Sequence, residues 1–171
     1  MTPDDDRPGR LVRVRDAAVA VLRDYGTIAE DRIEAERIDP VGSGDMPRVS
    51  VFADESGETA SRAGTAPAFD MTGHLVLQCL VERATKDEAI ADLDLLIWQV
   101  KEALFSDAAW VKLTANIASV TTQRSFRGDR DMILGDGRLR IDVTWRDLYP
   151  PRITQMLSKM TVTVAVPATT S

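Results

Sequence analysis

The sequence contains one cysteine and one histidine among 171 residues, and this scarcity excludes several kinds of site. Cys79 has no second cysteine in the chain with which to form a disulfide, which is typical of a reducing compartment. A zinc site built from several histidines or cysteines cannot be assembled within one chain either. No apolar run reaches the roughly 20 residues that a membrane-spanning helix needs, and residues 1–10 lack the apolar stretch of a signal peptide. We therefore expect no metal, no cofactor and no association with a membrane.

Basic residues are outnumbered by acidic ones. The chain has 21 lysines and arginines against 27 aspartates and glutamates, a formal net charge of −6 at pH 7. Because a dedicated nucleic-acid-binding protein presents a basic surface, this balance argues against such a role. What the chain does have is apolar residues, at 44 % of the sequence. At this length, that is enough for one domain with its own hydrophobic core.

The short motifs do not form a recognisable catalytic site. Cys79 and His74 are five residues apart on one predicted strand, so their side chains point to opposite faces and cannot form a dyad. The glycine pairs at 42–44 and 135–137 lack the third glycine or the lysine of a phosphate-binding loop, and no serine has the Gly-x-Ser-x-Gly setting of a nucleophile.

A calcium-binding loop is excluded because its last ligand is missing. Asp129 and Asp131 resemble the opening of such a loop, but its twelfth position is Arg140 instead of a glutamate. We therefore predict a protein that is not an enzyme and has no catalytic residues. The alternative from another class is a small hydrolase or ligand-binding enzyme whose polar residues converge only on folding.

Two amphipathic helices are predicted. Apolar residues recur at helical spacing over residues 9–25, and Gly26 provides a stop. A second stripe runs over residues 86–105, and Thr85 with Glu88 three residues later has the pattern of a capping box. Asp92 and Asp94 are placed on the solvated face of this helix.

Alternating and apolar runs predict the strands, at residues 31–39, 48–53, 74–83, 111–124 and 138–145, with a possible last strand at 160–166. The alternation slips by one residue at Val120, which indicates a bulge. Residues 54–73 show no period and are predicted to be a long loop, mobile until the protein assembles. The fold class is therefore α+β, with a mostly antiparallel (mixed) sheet of four to six strands and two helices on one face. We expect a flexible lead-in at 1–9, one domain at 10–147 and an extension at 148–171.

In the order of its elements, the chain resembles the tail terminator proteins of long-tailed bacteriophages and of phage-like gene transfer agents (minor tail proteins of the tail-completion type). The resemblance covers about residues 10–146. It rests on the helix LVRVRDAAVAVLRDYG, the short strand DRIEAERIDP, the strand PRVSVFADES, the strand and long helix TGHLVLQCLVERATKDEAIADLDLLIWQVKEALF, and the final segment ASVTTQRSFRGDRDMILGDGRLRIDVTWR.

This resemblance implies a structural role in the virion, at the junction of head and tail, after assembly in the cytoplasm of the bacterial host. Members of the family form a hexameric ring that caps the tail tube, ends its polymerisation and meets the head-completion protein, while DNA passes through without specific binding. Head–tail joining (connector) proteins, which share much of the fold, are the near alternative. In a ring, the acidic face of the second helix, with Asp92, Asp94 and Glu102, is one candidate for the lining of the passage.

Two segments are predicted to contact other subunits or partners. Phe69 and Met71 are apolar residues within the predicted loop, and the hairpin at 127–137 holds three consecutive apolar residues between charged ones. The arginines at 124, 127, 130, 138, 140 and 146, interleaved with aspartates, indicate an ion-pairing surface between subunits. The predicted interface residues are Phe69, Met71, Arg127, Asp129, Arg130, Asp131, Met132, Ile133 and Leu134.

Overall fold

A computed structural model describes residues 9–36, 45–63, 66–129 and 131–148 of the chain. The predicted lead-in up to residue 8 and the extension from residue 149, with its possible strand at 160–166, lie outside these residues. Within them, no helix is long and apolar enough to cross a membrane.

Both predicted helices are present. Helix α1 spans Arg10–Tyr25 and ends at Gly26, whose φ of 73° is the left-handed conformation that glycine adopts most easily. Helix α2 spans Lys86–Ser106 and begins at the predicted capping box: the Thr85 hydroxyl accepts from the Glu88 N–H at 3.3 Å, and the Glu88 carboxylate accepts from the Thr85 N–H at 3.3 Å. These boundaries confirm that the local signals determine where the two helices lie.

A third, short helix was not predicted. Helix α3 spans Ala108–Thr114, and the side chain of Asp107 caps it by accepting from the Trp110 N–H at 2.6 Å. The prediction of a strand from residue 111 is therefore wrong for its first residues. The indole of Trp110 is buried, and its Nε1–H donates to the carbonyl oxygen of Val14 in α1 at 3.1 Å. This contact between α1 and α3 stabilises a helix at residues where the weak alternation of apolar and polar residues predicted a strand.

The strands are β1 (Ile33–Ala35), β2 (Arg48–Ala63), β3 (Ala66–Arg83), β4 (Asn116–Asp129) and β5 (Met132–Leu148). They form one sheet in the order β1-β2-β3-β5-β4. β1 pairs with β2 in parallel, and the other three pairs are antiparallel. The α+β class with a mixed, mostly antiparallel sheet is confirmed.

The predicted loop at 54–73 is wrong. Strands β2 and β3 continue through it as one long hairpin, in which Thr59 pairs with Asp70 and Ala60 with Phe69, and one bulge lies between Glu55 and Gly57. Backbone pairing satisfies the N–H and C=O groups of such a segment without requiring apolar side chains on one face. A polar sequence without a period can therefore still be a strand when a neighbour pairs with it.

The helices pack on one face of the sheet, as predicted. This face carries the buried odd-numbered residues of β3 and β5, among them Leu75, Leu77, Leu139 and Ile141. A Cβ atom at Gly137 would lie 2.7 Å from Cδ1 of Ile97, so any side chain at this position would force Ile97 to shift.

Strand β4 contains the predicted bulge. Its register with β5 shifts between Ile117 and Ser119, directly before the position where the alternation slips in the sequence. The shift leaves Val120 opposite Ile141, on the helix-covered face, and 40 % exposed.

Candidate functional site

The face of the sheet opposite the helices carries a polar cluster centred on Asp142. Its carboxylate lies 2.6 Å from Nδ1 of His74, and accepts from Nε of Arg140 at 2.7 Å and from the hydroxyl of Ser119 at 2.5 Å. Adjacent pairing in the sheet brings these residues together, since His74 is opposite Asp142 in the β3–β5 ladder and Ser119 is opposite it in the β4–β5 ladder.

These contacts stabilise the ionised carboxylate. The hydrogen bond from Ser119 lowers the pKa of Asp142 most, followed by that from Arg140, and the pKa falls from 3.8 to about 2, although partial burial acts in the opposite direction. The Asp142 carboxylate is therefore held in its ionised form by the neutral Ser119 hydroxyl and the cationic Arg140 guanidinium.

The order of the groups does not match that of a hydrolase. In a nucleophilic triad the histidine lies between the nucleophile and the carboxylate and removes the proton from the hydroxyl. Here the carboxylate lies between Ser119 and His74, and the serine hydroxyl donates to the carboxylate. Histidine does not activate this serine, so the cluster has the geometry of a cross-strand structural network.

Cys79 and His74 lie on opposite faces of β3, as their spacing predicts. Cys79 is buried on the helix side with no exposed surface. Burial, with a smaller effect of the nearby Asp136 carboxylate, raises the pKa of the thiol to about 12. The predicted burial of Cys79 is confirmed, and the thiol is protonated and inaccessible at neutral pH.

The predicted interface residues fall into two groups at opposite ends of the sheet. Phe69 and Met71 lie in β3 near the end of β5, where Phe69 is opposite Asp147. Ile133 lies at the start of β5, opposite Arg83. Met71 is buried in the core and Phe69 is half-buried, so the first group is part of the fold of this chain.

The second group forms the tip of the β4–β5 hairpin. Arg127 and Asp129 end β4, Asp131 lies in the turn, and Met132, Ile133 and Leu134 begin β5 half-buried. Arg130 lies outside the described residues. The contact of this tip with another subunit stays a prediction.

A surface that the sequence analysis did not identify lies on α2. Leu95, Trp98 and Phe105 share one side of this helix and are 41 %, 55 % and 37 % exposed, and we call them the α2 stripe. Their spacing of three and seven residues was visible in the sequence, but it lies beside the equally apolar buried stripe. Trp98 also lines an open groove of about 300 Å³ between α2 and β4.

Arg124, which was predicted at a subunit contact, and the two aspartates of α2 form ion pairs within the chain. Arg124 forms an ion pair with Asp94 across the groove, and Arg83 pairs with Asp92. Asp94 is exposed and Asp92 is partly exposed, so the predicted solvated face is confirmed for Asp94, and both aspartates also form ion pairs within the chain. Because these pairs are partly exposed, each contributes on the order of 0–1 kcal/mol.

The β4 strand forms one edge of the sheet. β5 is its neighbour, and no strand of the described residues pairs with its other side. Strand β4 contains two arginines, Arg124 and Arg127, and one acidic residue, Asp129, at its end. An open edge of this length is a template for pairing with another chain.

Metal-binding geometry was not found: within the described residues, no group of three histidine, cysteine, aspartate or glutamate side chains converges.

No protein-family model matches the sequence, and no curated protein matches it significantly. Among solved structures, a chain from the virion of a native gene transfer agent particle is similar, with 16 % identity and a TM-score of 0.35. The alignment covers 79 % of this chain and 98 % of that chain. A TM-score of this size does not establish that the two chains share a fold.

Proposed function

We propose that this protein is a structural virion subunit that forms a ring, caps the tail tube of a phage-like particle and joins the tail to the head. The observation that carries the proposal is the exposed α2 stripe, whose Trp98 lines a groove beside β4, a strand at the edge of the sheet. Phe105 packs edge-on against the buried Trp110 of the same chain, but Leu95 and Trp98 lie outside the core, and an assembling subunit would bury them.

The order of elements supports the same role. α1, the short β1, the β2–β3 hairpin, α2 and the β4–β5 hairpin follow one another in the order expected for the tail terminator family. The polar cluster at Asp142 links three neighbouring strands and contains no activated nucleophile. This favours a structural role for the protein over a role as a hydrolase.

The charge of the chain suits a passage for DNA. With a net charge of −6 per chain, a closed ring would be strongly acidic. Its negative charge would repel the phosphate backbone of DNA, so that DNA would pass through without binding tightly. We expect negligible binding of duplex DNA at physiological salt.

The decisive experiment grows tail tubes from the cognate tube protein with and without this protein and measures their lengths by electron microscopy. We expect shorter tubes of narrower length distribution, and particles of ring mass in native mass spectrometry. Unchanged tube lengths, with binding to the portal side of heads instead, would favour the head–tail joining role.

The hairpin tip provides a residue-level test. Ile133→Asp places a charge on a half-buried position at the start of β5, and we expect a folded protein that no longer assembles. Normal assembly of this variant would remove the tip from the interface.

A further inference from the structure

An apolar corner lies where α2 meets the edge strand β4. Trp98 of α2 is 55 % exposed and Val120 of β4 is 40 % exposed. Val120 pairs with the buried Ile141 of β5, so it faces the side of the sheet on which the helices pack. Apolar side chains of both layers of the domain are therefore uncovered at this edge.

The groove between the two layers offers apolar contact. It is lined by Ile97, Trp98, Lys101 and Thr122, together with Asp94 and Arg124. Asp94 and Arg124 form an ion pair with each other, so their charges are already matched. What the groove offers an occupant is therefore apolar surface beside the backbone of β4.

The backbone of β4 favours an extended occupant. Within the described residues β4 pairs only with β5, so alternate residues of β4 direct their N–H and C=O groups away from β5. A strand added there would satisfy these groups and place every second side chain on the helix side, against Trp98 and Val120. The matching occupant is an extended segment with apolar residues at every second position.

Residues 160–166, which lie outside the described part of the chain, have this sequence pattern. Met160 and the valines at 162, 164 and 166 alternate with two threonines and an alanine, and no charged residue interrupts them. Valine and threonine are enriched in strands. Whichever way this segment runs along β4, its methionine and valine side chains share one face.

The end of β5 brings this segment within reach of the groove. β5 is antiparallel to β4 and continues past Thr144, which pairs with the first residue of β4, to Leu148. The path from Leu148 to a position beside Val120 is about 25 Å, which combines two strand spacings across the sheet with the rise of β5 from Ile141 to Leu148. Residues 149–159 span up to about 36 Å when extended, so the connection is long enough.

The other uncovered edge lacks such a corner. Beyond Val51 the outer side of β2 has no strand partner within the described residues. The large apolar side chains that are exposed in the described part of the chain belong to α1, α2, α3 and β4, and none belongs to β1 or β2. The β4 edge is therefore the one at which an apolar strand gains contacts on the helix side.

We infer that residues 160–166 pair with β4 of the same chain and cover Trp98 and Val120 with their methionine and valine side chains. The connection selects the segment of the same chain over that of a second copy, because a short flexible linker holds it at an effective concentration on the order of millimolar. The segment and a neighbouring subunit then compete for Trp98, so the segment limits assembly of the free protein. This consequence rests on the proposed function, whereas the pairing itself does not.

A cross-link tests the pairing directly. Lys101→Cys with Val164→Cys places one thiol in the groove and one in the segment. Arg13→Cys with Val164→Cys is the control, because Arg13 is exposed on α1, and Cys79 is buried in both variants. A short bismaleimide should join the first pair within one chain and leave the control pair unjoined, as measured by mass spectrometry of the denatured chains. Adducts between two chains, or no adduct at all, would overturn the inference.

The fluorescence of Trp98 provides a second measurement. The other two tryptophans, Trp110 and Trp145, are buried, so quenching by iodide reports on Trp98. We expect little quenching in the unmodified protein if the segment covers this indole. A variant that releases the segment should expose one tryptophan of the three to iodide.

Substitutions on the two faces of the segment supply that variant and its control. Val162→Asp with Val164→Asp places charge on the face that contacts Trp98, and Thr161→Asp with Thr163→Asp places the same charge on the other face. We expect iodide to quench one tryptophan in the valine variant and little in the threonine variant, with native mass spectrometry establishing that both samples are monomeric. Equal quenching in the two monomers would overturn the inference.

The same variants separate the inference from the proposed function. If the segment covers the groove in more than about nine-tenths of the molecules, its release should lower the dissociation constant of assembly by at least about tenfold, since only the open fraction binds. Quenching that rises with no change in assembly would support the pairing and count against the α2 stripe as the contact between subunits. Tubes that are shortened by a protein without the cross-link would overturn the inference and leave the proposed function standing.

Discussion

Asp142→Asn should make the protein less sensitive to acid than the unmodified chain. In the folded protein, the donors around Asp142 lower its pKa from 3.8 to about 2. A lowered pKa in the folded state means that the ionised group stabilises the fold above the ordinary pKa. That contribution is lost as the pH falls from about 4 through about 2.

The size of this contribution follows from the shift. A difference of nearly two pKa units corresponds to about 2.5 kcal/mol of unfolding free energy if it is expressed in full. The Asp142 side chain is 23 % exposed and that of its partner Arg140 is 48 % exposed. Solvent screening therefore reduces the expected contribution to about 1 kcal/mol.

Urea unfolding near pH 5 and near pH 2 gives the unfolding free energy that each protein loses between the two pH values. The difference in this loss between the unmodified protein and Asp142→Asn measures the contribution. Between these two pH values, Asp142→Asn should lose about 1 kcal/mol less unfolding free energy than the unmodified protein. Glu102→Gln, at an exposed position of α2, is the control and should lose as much as the unmodified protein. If Asp142→Asn and the unmodified chain lose equal amounts, the hydrogen bonds to Asp142 do not stabilise its charge in solution.

Two further predictions concern the core. The thiol of Cys79 is buried and has a pKa of about 12, so a thiol reagent at neutral pH should modify the native protein only at the rate at which the protein unfolds. Rapid and complete modification without denaturant would show that the thiol is accessible in the folded protein. Gly137→Ala should destabilise the fold by about 1–2 kcal/mol, because the added Cβ would lie 2.7 Å from Ile97. The control Gly57→Ala, whose Cβ would have no atom within 4 Å, should change the stability by less than about 0.5 kcal/mol. Thermal denaturation measures both variants, and equal midpoints would show that Ile97 shifts at no cost.

Local patterns in the sequence determined the two long helices, the final strand and the chemistry of the single cysteine. α1 and α2 follow from apolar spacing together with a glycine stop and a capping box, which act within a few residues of each other. The opposite orientation of Cys79 and His74 follows from the two-residue period of any strand. These features need no knowledge of the rest of the chain.

Only the tertiary structure decided the remaining features, because they depend on residues far apart in the sequence. The polar segment at 54–73 is a hairpin since β3 pairs with β2 on one side and with β5 on the other, and α3 forms where Trp110 reaches α1. Asp142 meets His74 across 68 residues, a contact that no local pattern records. The exposed α2 stripe is a feature of the same kind. A helical spacing of apolar residues does not say which of two stripes the sheet covers, and in the fold α2 turns its other stripe to the sheet and leaves Trp98 exposed.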